Sequence, residues 1–207
     1  MAEIERETKL VVSPGDYRRL RAKGRLLECR DQLNVYLHDP GRIVEGSGYF
    51  RVRYESGREP MATLKVPRGW KGPVREMVEI ERPLRELGSG LYPWPRRHVQ
   101  VESDLPDEMG RHFLSLGIHR LRRLGWMRNL RCRVEAEGGG LVEVDRTELP
   151  GGKIHHEVEI ETWDEALLRR LMAWVRETAP SAEVTTVGKF SRFLEAVAGG
   201  FPPKPGR

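Results

Sequence analysis

The chain has 207 residues, enough for one large domain with a real core, and carries 36 Lys and Arg against 31 Asp and Glu, a formal net charge of +5. No long Lys/Arg block marks a nucleic-acid binder, so nucleic acid is not the expected partner, while anionic small molecules stay open. No stretch approaches the roughly eighteen apolar residues that span a membrane, the start is charged from Glu3 with no apolar leader, and Cys29 and Cys132 are far apart in no metal-ligand spacing; the expectation is a soluble cytoplasmic protein with neither a disulfide framework nor a zinc site.

The first strand candidate is Glu3-Ile4-Glu5-Arg6-Glu7-Thr8-Lys9. Alternate strand side chains point to opposite faces, so Glu3, Glu5, Glu7 and Lys9 share one face and Ile4, Arg6, Thr8 and Leu10 the other. Three carboxylates at that spacing repel unless a cation sits among them, and Lys9 alone is a weak remedy, which suggests a metal. Two plainer readings stand beside it: a solvated edge strand, and a Glu5–Lys9 pair on a helix surface.

Ser13-Pro14-Gly15-Asp16 then starts a short amphipathic helix that Gly24 ends. Residues 26–38, with Gln32-Leu33-Asn34-Val35-Tyr36-Leu37, read as a strand stopping at Asp39-Pro40-Gly41. Residues 49–54, 61–66 and 74–82 form a meander joined by turn-rich segments. An interruption over 83–124 holds a Pro-rich loop around Tyr92-Pro93-Trp94-Pro95 and a helix over 107–116. Three further strands follow, 131–137, 141–147 and 153–161, separated by Gly138-Gly139-Gly140 and Pro150-Gly151-Gly152. A helix over 164–177, capped by Asp164, carries the apolar stripe Leu167, Leu168, Leu171, Met172, Trp174 and Val175; a last helix covers 188–197. The organisation is a single domain over 1–200, with eight strands, no internal repeat and a loose tail over 201–207.

Nearly every strand has one apolar and one charged face. Arg51 and Arg53 flank Val52, Thr63 and Lys65 flank Leu64, and Glu79 and Glu81 flank Ile80. Arg131 and Arg133 flank Cys132, Glu143 and Asp145 flank Val144, and Glu157, Glu159 and Glu161 flank Val158 and Ile160. A charged face that meets water is the ordinary outcome in a sandwich. These strands, however, carry single-sign pairs, and the helical stripes need an apolar surface to cover. If helices cover the apolar face and the sheet curls shut, the charges line a polar tunnel.

The motifs Glu5-x-Glu7-x-Lys9, Gln32-x-Asn34-x-Tyr36, Arg51-x-Arg53, Thr63-x-Lys65, Glu79-x-Glu81, Asp145, Glu157-x-Glu159-x-Glu161 and Lys189 occur in an order that resembles the CYTH family, the triphosphate tunnel metalloenzymes. The resemblance runs through almost the whole chain; Glu3 is an extra carboxylate, and residues 83–124 fit no motif. It implies an α+β protein built on an eight-stranded antiparallel β-barrel, with a polar, charged interior and helices packed outside, that binds a triphosphate and a divalent metal. The leading reading is metal-dependent hydrolysis of the terminal phosphoryl group of tripolyphosphate or of an organic triphosphate. The same scaffold permits a class IV adenylyl cyclase, and a non-catalytic polyphosphate-binding module is the reading from another class.

For a highly charged anion the candidate ligands are Lys9, Arg51, Arg53, Lys65, Arg131, Arg133 and Lys189, the planar guanidinium holding two phosphate oxygens at once. Glu5, Glu7, Glu157 and Glu159, with Asp145 beside a second ion, form an all-carboxylate set that suits Mg²⁺ or Mn²⁺ rather than zinc. Lys9, Glu7 and Glu159 are the expected catalytic residues. Glu79, Glu81 and Glu161 are ligands, partners of the arginines or charge balance, the first two favoured as partners. Arg192, three residues after Lys189, either faces the same way or is solvated. His155 and His156 lie on opposite faces of one strand, so at most one enters the tunnel.

Overall fold

The computed structural model describes residues 2–43, 48–105 and 107–198. In chain order its elements are β1 (Ala2–Val11), α1 (Pro14–Lys23), β2 (Arg25–His38), β3 (Tyr49–Glu55), β4 (Met61–Lys71), β5 (Val74–Pro83), β6 (His98–Gln100), α2 (Val101–Asp104), α3 (Asp107–Ser115), β7 (Arg120–Glu135), β8 (Leu141–Glu148), β9 (Ile154–Glu161), α4 (Glu165–Thr178), β10 (Glu183–Val184) and α5 (Lys189–Ala198). Eight strands pair antiparallel in the order β1-β5-β4-β3-β2-β7-β8-β9, and β9 pairs back onto β1, so the sheet closes into a barrel. The short β6 and β10 extend β7 and β1 outside this ring. No helix among the described residues is long and apolar enough to cross a membrane.

The alternation dictates which side faces in. Leu10, Val134, Val144, Val158 and Ile160 point outward and are buried under Tyr17 and Leu20 of α1 and Leu168, Leu171, Trp174 and Val175 of α4. A second cluster packs Val35, Leu37, Phe50, Val52, Leu64 and Ile80 under Val101, Met109 and Phe113 of α2 and α3. Each such side chain contributes about 1.5–3 kcal/mol on leaving water, so the apolar exterior, with its helices, holds the barrel shut around a polar interior. Both covering helices start as their sequences dictate. The Ser13 hydroxyl accepts from Asp16 N at 3.1 Å, and the Asp164 carboxylate accepts from Ala166 N at 2.8 Å and Leu167 N at 3.1 Å.

Three expectations change. Helix α5 is not on the barrel wall: Phe190 and Phe193 plug one mouth, packing on Tyr36 and Met127, with the Tyr36 and Phe193 rings 4.8 Å apart. That end of the interior is aromatic rather than charged and needs an apolar cover. The interruption ends earlier than expected, because β7 begins at Arg120 and pairs along β2 as far as His38. Before it, the Asp104 carboxylate accepts from Gly90 N at 3.0 Å and Gln100 N at 2.9 Å, tying the Pro-rich loop to α2. A Cβ on Gly90 would stand 2.2 Å from Asp104 Oδ2, so only glycine fits there. The expected tail, 201–207, lies outside the described residues.

The third change concerns the cysteines. Cys29 and Cys132, 103 residues apart, face each other across β2 and β7 with Cα atoms 4.1 Å apart and are joined by a disulfide. The expectation of two unconnected thiols fails because strand pairing erases the sequence separation. With it goes the support that free thiols lent to a reducing compartment. Disulfides stabilise typically by about 2–4 kcal/mol, and loop-closure entropy puts a loop of about 100 residues at about 4.7 kcal/mol, so reduction should move the urea unfolding midpoint down; identical curves with and without reductant would show that the bond contributes no stability.

Candidate active site in the tunnel

Inward-facing positions of the eight strands meet in the bore. Register sets Lys9 opposite Glu159, Glu157 opposite Asp145, Asp145 opposite Arg131 and Lys65 opposite Glu79. Asp145 and Glu157 are fully buried, so these charged faces do not meet bulk water.

Every cation near the acidic wall is anchored. The Lys9 ammonium donates to Glu159 and stands 2.7 Å from Glu7 Oε2. Lys189, at the first turn of α5, reaches Asp145 at 2.7 Å and Glu159 at 2.6 Å, and also bonds Glu157. The Arg131 guanidinium forks onto Asp145 at 3.1 and 2.8 Å and reaches Glu159 at 2.5 Å and Glu143. Lys65 bonds Glu5 and lies 3.1 Å from Glu79. Arg192 donates to Glu157 at 2.9 Å. Burial by itself favours the neutral form of each group. It lowers the affinity of Lys9 for its proton, but Glu159, Glu7 and Glu157 outweigh it and hold the ammonium well above its ordinary range. Burial raises Glu159, and Lys189, Lys9 and Arg131 hold it well below the usual carboxylate range.

The opposite wall is less balanced. Arg51 stands 3.8 Å from Glu79, and Arg53 stands 4.0 Å from Glu55 while its Nε donates to Asn34 Oδ1 at 3.1 Å. Burial, then repulsion from Arg51 and Arg131, lowers Arg53 to about 10, still protonated at neutral pH. Beyond it Gln32 donates to Glu55 at 2.7 Å, Asn129 to Gln32 at 3.0 Å and Thr147 to Asn129 at 2.8 Å, a satisfied polar belt.

Among the described residues carboxylates gather in three trios, each with ligand oxygens within 4.8 Å of one another: Glu5, Glu7 and Glu161; Glu143, Glu159 and Glu161; Asp145, Glu157 and Glu159. Lys189, Arg131 and Arg192 already neutralise the third. Glu161 has no Lys, Arg or His within 4.0 Å among the described residues. Its carboxyl is pushed up to about 8, first by the protein crowding it and then by Glu5, Glu143 and Glu159; solvent contact at the rim tempers the effect. An oxygen-only donor set with a surplus of negative charge fits a hard divalent cation, so the first two trios could hold Mg²⁺ or Mn²⁺.

A family model of the CYTH domain matches residues 3–194 of this chain. The chain belongs to the CYTH family. Among solved structures it is similar to HpAC1 from Hippeastrum, described as an adenylyl cyclase candidate with a dominant triphosphatase activity, with a TM-score of 0.73 at 20% identity over 96% of this chain and 98% of that one. An adenylate cyclase candidate from Bacillus halodurans gives a TM-score of 0.67 at 22% identity, covering 93% and 98%. The PH1819 protein from Pyrococcus horikoshii gives 0.55 at 16%, covering 94% and 99%. At these identities the likeness is one of fold. A search of curated protein sequences finds no match.

In this CYTH barrel one cavity is lined by Glu7, Lys9, Arg51, Arg53, Lys65, Arg131, Glu159 and Lys189, all named from sequence. Glu5, Asp145 and Glu157 stand behind it, touching Lys65 and Lys189. Arg133 does not join them. Its side chain is 40% exposed and 3.2 Å from Glu28, two residues along β7 toward the rim. His155 is the histidine that faces in, 3.3 Å from Glu157, whereas His156 packs outside on Tyr17 at 4.8 Å. Glu79 partners Lys65, and Glu81 accepts from Thr63 at 2.9 Å. Sequence reasoning named Tyr36 in a motif and Glu143 on a charged face without giving either a role in the site, and missed Tyr49 and Arg75 in the cavity wall. The signal for Arg75 was available, since it shares a face with Glu79 and Glu81 by the same alternation.

Proposed function

We propose that this CYTH protein is a divalent-metal-dependent hydrolase that removes the terminal phosphate of a triphosphate. The observation that carries the reading is one cavity with cations on every side, Lys9, Arg51, Arg53, Lys65, Arg75, Arg131 and Lys189, beside carboxylates that lack a cation of their own at Glu161. Arg51, Arg53 and Arg75 have the weakest internal partners and are the first to take phosphate oxygens; Arg131, Lys9 and Lys189 are oriented by carboxylates and face the same space. Glu5, Glu7, Glu159 and Glu161 are the residues that would hold Mg²⁺ or Mn²⁺. Asp145 and Glu157, expected beside a second ion, hold Lys189, Arg131 and Arg192 here. Bound there, the metal would offset charge on the phosphoryl oxygens and acidify an attacking water. The protein's own part is to spread the polyphosphate along fixed cations and exclude bulk water through the α5 plug.

The description of HpAC1 favours hydrolysis over cyclisation. Purified protein given tripolyphosphate, ATP or thiamine triphosphate with Mg²⁺ or Mn²⁺ should release orthophosphate, and EDTA should stop it. Cyclic AMP with pyrophosphate as sole products would replace this reading with the cyclase. Binding of polyphosphate without any turnover would replace it with the non-catalytic module.

A further inference from the structure

The β4–β5 hairpin continues to Lys71 and Val74, past Lys65 where β3 stops pairing with β4, and it carries Arg75 of the cavity wall. A bulge between Pro67 and Gly69 shifts the register, after which Trp70 pairs with Arg75 and Lys71 with Val74. Directly opposed residues of an antiparallel pair point to the same face. Arg75 lines the cavity, so Trp70 is on the tunnel side as well. It is nevertheless 44% exposed, because the hairpin rises past the barrel there. The hairpin is tied down by Thr8, whose hydroxyl donates to Pro73 O at 3.3 Å.

Arg75 differs from the other cations of the cavity. Among the described residues no carboxylate lies within 4.0 Å of it, and its Nε, like that of Arg51, is buried without a hydrogen-bond partner. It is held by flat surfaces instead: its Cζ lies 5.5 Å from the Trp70 ring centroid, and the Gly188 backbone packs so closely that a Cβ there would meet Nη1 at 3.2 Å. Two other exposed tryptophans also stand over arginines, Trp163 over Arg6 at 5.1 Å and Trp94 over Arg123 at 5.9 Å, but neither arginine lines the cavity, and the exposed Trp126 pairs with Val35 on the outer face of the barrel. Trp94 stacks on Tyr54 at 5.0 Å outside the barrel, and Trp163 borders a separate pocket with Arg6, Glu3, Glu5, Glu79 and Glu161.

We propose that Trp70, seated on the Arg75 guanidinium at the cavity mouth, is a stacking platform for a planar aromatic group attached to the triphosphate. The substrate is then an aromatic organic triphosphate, of the nucleoside triphosphate class, rather than inorganic tripolyphosphate. With the phosphates on the cations inside, the organic end of the molecule emerges where Trp70 stands. Inorganic tripolyphosphate has no ring to place there. The inference rests on the triphosphatase reading, and it adds which end of the substrate the hairpin reads.

The test is a comparison of ATP with tripolyphosphate in the wild type, Trp70→Ala and Trp70→Phe. Stacking of a base on an aromatic side chain corresponds to roughly a tenfold effect or more. Trp70→Ala should therefore lower the ratio of kcat/KM for ATP to that for tripolyphosphate by about tenfold, chiefly through KM for ATP, and Trp70→Phe should recover most of it. Calorimetric titration in EDTA should show the same selective weakening of ATP binding. Equal losses for both substrates would overturn the platform and leave Trp70 as a positioning residue for Arg75; an unmoved ratio with no loss would overturn it as well. If the wild type hydrolyses neither compound, the triphosphatase reading falls, and the EDTA titrations still decide the platform.

Discussion

Replacing Glu159 by Gln is expected to cut metal-dependent phosphate release by more than about a hundredfold, beyond what loss of an outer partner of a metal ligand typically does, while the barrel stays folded. Glu159 belongs to two of the three carboxylate trios and touches Lys9, Lys189 and Arg131. Each of those cations keeps another partner: Glu7 for Lys9, Asp145 and Glu157 for Lys189, Asp145 and Glu143 for Arg131. The amide fills the same space and its carbonyl still accepts, but its NH2 faces a cation that the second oxygen had bonded, so the unfolding transition should move down while those other partners keep the barrel folded. The cavity, having lost one negative charge, becomes more positive. In EDTA the variant should bind tripolyphosphate more tightly than the wild type although it turns it over far more slowly. That opposition of sign separates a metal-holding carboxylate from one that merely props up the cations, and a wild-type kcat would sink the assignment.

How much of this was legible beforehand differs by feature. The barrel and most of the site follow from alternation alone, because a strand with Glu157, Glu159 and Glu161 on one side and Val158 and Ile160 on the other has only one sensible way to face. Alternation tells which side a residue takes, however, not how deep it stands. Arg133 repeats the spacing of Arg131 and ends at the rim, while Asp145 and Glu157 reach full burial. Partnerships between distant strands were equally hidden. Nothing in two cysteines 103 residues apart says that β2 and β7 set them opposite each other. The first half of β7 escaped notice because Arg120–Arg123 are mostly basic and Gly125 interrupts the pattern, with φ +155° where a Cβ would meet the Phe193 ring at 3.2 Å. The apolar face of α5 was visible as a stripe, but its destination was not. A helix stripe says that something apolar must be covered, and Tyr36 and Met127 inside the barrel mouth answered that need.

Arg131→Ala is expected to destabilise the protein by about 3–5 kcal/mol at neutral pH, the range for removing one partner of a buried ion pair. Arg131 serves Asp145, Glu159 and Glu143 together, and Asp145 is fully buried, with Lys189 as its remaining cation. The pH dependence identifies the cause. Burial pushes the Asp145 pKa up, but Arg131 and Lys189 bring it below the ordinary 3.8. A carboxyl depressed on folding adds stability that is present above its unfolded pKa and lost as pH falls through the lower folded value. In the variant the influence of burial is opposed by Lys189 alone, so the pKa rises and that contribution shrinks or reverses. The stability gap between the two proteins should therefore be widest near neutral pH and narrow as the solution is brought below 3.8, where the carboxyls take up protons in the variant before the wild type. Urea midpoints at neutral and acidic pH measure it. A gap that stays constant across that range would mean that the loss comes from the packing of the arginine's methylene chain, and that the charges of the tunnel are not what its fold depends on.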